Sequence, residues 1–105
     1  MNEIIKDMSK GLIEACKGSY NNAMTDGIPF TRKSLKSIEE ASKVYEKILS
    51  STNPQDKEYL MLQEMINYNK RFYILLNCVL VNMEQTAALN KALIENLSEI
   101  MKEEE

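Results

Sequence analysis

Apolar residues recur at steps of three and four along almost the whole chain, and no segment alternates them at every second position. The pattern predicts helices and no strands. In a first segment, about residues 2–24, Ile5, Met8, Leu12, Ala15, Cys16, Tyr20 and Ala23 draw one stripe, with Lys6, Lys10 and Lys17 off it. Gly11 and Gly18 interrupt good helix formers and read as places where a neighbouring helix comes close. Asp26-Gly27 is expected to end the segment, with Gly27 in a left-handed cap and Pro29 following.

A second segment, about 31–50, is expected to start at Thr31 as N-cap, with Phe30 and Leu35 forming a hydrophobic staple. Leu35, Ile38, Ala41, Tyr45 and Ile48 form its apolar stripe, and the opposite side is charged. A third segment opens at Asn53-Pro54, a favoured cap followed by a residue preorganised for the first helical position. It then runs to about residue 102 without Gly or Pro.

A heptad register fits this third segment throughout. Leu62, Asn69, Leu76, Met83, Asn90 and Leu97 take a; Met65, Phe72, Val79, Thr86, Leu93 and Ile100 take d. The e positions Ile66, Tyr73, Leu80, Ala87, Ile94 and Met101 are apolar as well, wider than a two-stranded seam requires. A straight helix of this length spans roughly 70 Å, about twice what either earlier segment can cover. Either it stays whole and shares its surface with another chain, or it breaks near Asn82, where Asn82-Met83-Glu84-Gln85 resembles a capping box. The unshifted register favours the whole helix. The expected fold is therefore all-α: a single domain, 1–105, built as a three-helix bundle with a long C-terminal helix. The alternative is a four-helix bundle broken near Asn82.

Composition narrows the chemistry. The chain has no histidine, which removes the commonest general base, the His-containing triads and most zinc sites. Three scattered glycines cannot form a phosphate-binding loop. Glu64 and Glu84 flank the most apolar region, but spacing places no second catalytic group beside them. No enzyme activity, cofactor or metal is expected. Cys16 and Cys78 both fall in apolar surroundings and are expected reduced and buried. The opening residues mix charge into the apolar pattern, and Asn77 and Asn82 interrupt the most apolar stretch. A cytoplasmic protein without a membrane span is the expectation. The closing Glu103-Glu104-Glu105 reads as a solvated end.

What remains is binding. The apolar mass of the third segment makes Met65, Asn69, Phe72, Leu76, Val79, Met83, Asn90, Leu93 and Leu97 the candidate interface. Asn69 and Asn90 at a positions are devices that set register and helix number. The expected function is a non-enzymatic protein–protein interaction module of adaptor, chaperone-like or inhibitory type. It self-associates as a homodimer through the long helix and binds a further protein partner. The alternative is a small subunit of a nucleic-acid-handling assembly, with Arg32, Lys33, Lys36 and Lys43 meeting phosphates. A net charge of −3 and the interleaved Glu39, Glu40 and Glu46 weigh against that alternative.

Overall fold

A computed structural model describes residues 2–103. Its elements are α1 (Glu3–Asn22), a π-helical turn (Ala23–Gly27), α2 (Ile28–Ser50) and α3 (Lys57–Glu103), with no strand among the described residues. The acidic end beyond Glu103 lies outside the described residues.

Local chemistry accounts for the ends. The Asn2 side chain accepts from the Ile4 amide at 2.8 Å and caps α1. At the close of α2, hydroxyls bond the last carbonyls, that of Ile48 alongside the Ser51 amide. Ser50 donates to the Lys47 carbonyl and Thr52 to that of Ile48, both at 2.7 Å. Asn53 does not sit directly before a helix: its side chain accepts from the Gln55 amide at 2.9 Å and organises a turn. α3 begins only at Lys57, three residues after Pro54. It then runs 47 residues through Asn82 without a break.

The stop expected at Asp26-Gly27 is absent. No described glycine has positive φ, and Ala23 and Ile28 are right-handed helical. The chain instead widens into a π turn, with the Ile28 amide bonded to the Ala23 carbonyl five residues back. Pro29 gives one reason. A proline inside an α-helix has no N–H to donate, and its ring strikes the carbonyl four residues earlier; a wider turn moves that carbonyl aside. Thr31 is consequently buried inside α2 rather than capping it, and Phe30 is 72% exposed, so no staple forms.

The described residues divide into two compact units, one of residues 2–29 with 81–103, the other of residues 30–80. Each pairs two antiparallel helical segments, so neither is a three-helix bundle. In the first unit, Asn90 Nδ2 donates to Ser19 Oγ at 3.1 Å. There too, a methyl added to Gly27 would lie 3.1 Å from the Met83 sulfur. In the second, Lys70 Nζ reaches Glu46 Oε1 at 3.8 Å from α3 to α2.

The buried columns keep heptad spacing but are not the columns expected. On α3 the inward positions are Leu62, Ile66, Asn69, Tyr73, Leu76 and Leu80 in one unit. In the other they are Met83, Ala87, Asn90, Ile94, Leu97 and Met101. The expected a and e residues thus make the seam, while the expected d residues Met65, Phe72, Val79, Thr86 and Ile100 are exposed and Leu93 is half-buried. On α1 Ile13, Cys16 and Tyr20 face inward, as does Ala23 in the π turn, whereas Ile5, Met8 and Leu12 are exposed. On α2, Leu49 rather than Ile48 is turned in. The cause is common to all three: two neighbouring columns are apolar, and a period of 3.5 cannot say which one packs. Gly11 and Gly18 are open as well, with no atom within 4 Å of an added methyl. Cys16 is buried but Cys78 is exposed, and both are free thiols.

Candidate functional site

The unit Phe30–Leu80 has two unlike sides flanking its seam. The residue following each inward position gives one side: Arg32, Lys36, Glu39, Lys43 and Glu46 on α2, and Gln63, Asn67, Lys70 and Ile74 on α3. Apart from the exposed Ile74 it is polar, and it holds ion pairs, Lys43 with Glu39 and Lys70 with Glu46, each at 3.8 Å. A shallow groove of about 440 Å³ runs along it, lined by Glu39, Ser42, Asn69, Lys70, Tyr73 and Ile74.

The residue preceding each inward position gives the other side. On α3 these are Met61, Met65, Tyr68, Phe72, Leu75 and Val79, a second heptad column with spacing 4, 3, 4, 3, 4. Every one is exposed, from 41% at Met65 to 69% at Tyr68. On α2 the matching residues include Ala41, Val44 and Ile48. The Lys70–Glu46 bridge shows that the two polar flanks share a side. In an antiparallel pair the two apolar flanks therefore share the opposite side. Tyr68 and Phe72, one turn apart, stack with ring centroids 6.2 Å apart and planes 11° from parallel.

No protein family, curated protein or solved structure matches this chain. What the chain binds must follow from the chemistry of these surfaces.

The candidate interface residues divide accordingly. Met65, Phe72 and Val79 lie on the exposed column. Asn69 and Leu76 lie on the seam of the same unit; Met83, Asn90 and Leu97 lie on the seam of the other, where Leu93 flanks it half-buried. Asn90 uses its amide within the chain, on Ser19. Met61, Tyr68 and Leu75, missing from the sequence-based set, complete the exposed column; their spacing to Met65, Phe72 and Val79 was the available signal. Of the candidate phosphate contacts, Arg32, Lys36 and Lys43 fall on the polar side of α2 among Glu39 and Glu46, and Lys33 points outward. Glu64 and Glu84 are both exposed. Among the described residues no three Cys, Asp or Glu groups converge as a metal site requires.

One further property belongs to α3. An 18-residue window of it has mean hydropathy 1.3 and at most two charged residues, and only 11% of that window is buried. By length and composition alone the helix suffices to cross a membrane.

Proposed function

We propose that this protein is a non-enzymatic interaction module that self-associates through its long C-terminal helix. Bundle formation would thus be completed between chains. The observation that carries this reading is the exposed heptad column Met61–Val79 on α3, an apolar seam with nothing on it. A helix apolar on two adjoining columns needs neighbours on both, and the chain supplies one. A homodimer is the simplest assembly, and an adaptor, chaperone-like or inhibitory role in the cytoplasm belongs to the same proposal.

Two other readings have less support. Phosphate contact through Arg32, Lys33, Lys36 and Lys43 would use a side from which Lys33 points away and on which Lys43 is already paired with Glu39. Insertion of α3 into lipid is favoured by its hydropathy but opposed by Asn77, Asn82 and Glu84 within the apolar stretch.

Light scattering over a concentration series tests the proposal. A mass of twice 12.1 kDa or a higher multiple is expected. A strict monomer at every concentration overturns it.

A further inference from the structure

The exposed column on α3 is its own complement when read backwards. Pairing it antiparallel with a second copy about its midpoint, beside residue 70, sets Met61 against Val79, Met65 against Leu75 and Tyr68 against Phe72. All six residues then meet an apolar partner, and none is left over. A two-fold interface requires this property, because the same patch must serve both sides. The column ends at polar residues in both directions, Glu58 before Met61 and Asn82 after Val79.

From these relations the geometry points to an antiparallel docking of α3 on α3 of a second copy, centred between Tyr68 and Phe72. This deepens the proposed self-association and rests on it. The area suffices. At the observed exposures, the six column residues with Val44 and Ile48 of α2 present roughly 800 Å² of side-chain surface. That exceeds the roughly 300–600 Å² of the largest apolar patch on an ordinary monomer and equals one partner's share of a standard stable interface. Val44 and Ile48 lie alongside the centre of the column, since Glu46 is level with Lys70 across the unit. The two stacked aromatic pairs come together at the dyad, where large rigid side chains contribute most to an interface.

A pair of substitutions distinguishes this docking from other modes of association. Tyr68→Lys and Phe72→Glu each place a charge at the centre, so each variant alone should self-associate about a hundredfold more weakly. Mixed in equal amounts, they set the introduced lysine of one chain against the introduced glutamate of the other, while the remaining Phe72 and Tyr68 still pair. A heterodimer of wild-type mass should return, and far-UV circular dichroism of the mixture should match wild type even if either variant alone is partly unfolded. Only an antiparallel register about residue 70 rescues in this way. A parallel pairing, or α3 against α2 of the partner, leaves both charges facing apolar groups.

Wild-type protein that stays monomeric overturns both this docking and the proposed self-association. A wild-type dimer whose variants still dimerise alone, or whose mixture does not recover, overturns the docking and leaves self-association standing. Monomeric protein that floats with vesicles of neutral phosphatidylcholine would assign the face to lipid and overturn both.

Discussion

Truncating one residue from each column of α3 separates the core of the folded unit from the surface it shares. Ile66 is 5% exposed and packs on the seam, so Ile66→Ala should cost about 2–4 kcal/mol in any state of assembly. Leu75, nine residues on and 65% exposed, has little left to lose inside its own chain. Leu75→Ala should cost an isolated unit less than about 0.5 kcal/mol, as an exposed leucine does. If a second copy covers it, about 115 Å² more is buried, of which truncation removes roughly half, so at roughly 25 cal/mol per Å² the substitution costs about 1.5 kcal/mol per chain. Urea unfolding followed by far-UV circular dichroism, repeated across about two orders of magnitude in protein concentration, reads both terms. The wild-type midpoint should rise with concentration, because association binds only the folded chain. Leu75→Ala should lower the midpoint most where wild type is associated, and Ile66→Ala should lower it everywhere. A Leu75→Ala curve that superimposes on wild type at every concentration would refute the claim that this column is covered. A larger loss from Leu75 than from Ile66 in dilute solution would show that the columns have been assigned the wrong way round.

Smaller perturbations test other parts of the structure by the same denaturation measurement. Gly18→Ala and Gly11→Ala should each stabilise by about 0.5–1 kcal/mol, since a methyl there meets nothing within 4 Å and the helix gains propensity; a loss at either position would reveal a neighbour packed on α1. Asn53→Ala should cost about 1 kcal/mol by removing the acceptor that organises the turn before α3. Ser19→Ala should cost about 0.5–1.5 kcal/mol, and an equal cost in an Asn90→Ala background would show that the bond between them contributes nothing.

Periodicity reveals some features of this protein and is silent on others. The all-helical character and the 47-residue continuity of α3 follow from apolar spacing and from the absence of Gly and Pro after Pro54. The seam itself was one column out. Met65, Phe72 and Val79 are as apolar as Ile66, Tyr73 and Leu80, so only packing could show which set turns inward. That ambiguity is itself informative, because a helix with one neighbour has no need of two apolar columns. The chain between Gly27 and Thr31 misled for a different reason. Asp-Gly, Pro and Thr are each good boundary residues locally, but the first unit needs Gly27 and Ile28 helical, where Ile28 is buried. Tertiary burial outweighed turn propensity.

The π turn itself has two separable causes. The inward positions of α1 and the turn run 6, 9, 13, 16, 20, 23, 27; those of α2 run 28, 31, 35, 38, 42, 45, 49. Both series keep heptad spacing, and they differ in phase by the single step from 27 to 28. A π turn holds one residue more than an α turn, so it absorbs that step. Pro29 independently favours the wider turn. Deleting Thr25 removes the extra residue and would draw the run into a continuous α-helix, in which Pro29 becomes an interior proline costing about 3 kcal/mol. In a Pro29→Ala background the same deletion should be neutral or stabilising, because phase and backbone then agree. Pro29→Ala alone should keep the π turn, read as unaltered hydrogen-exchange protection at Ile28, since the phase step remains. The measurement is a double-mutant cycle on unfolding free energy. A deletion that costs the same with and without Pro29 would show that the proline plays no part. If Pro29→Ala alone changed the exchange at Ile28, the proline rather than the phase step would be what holds the turn open.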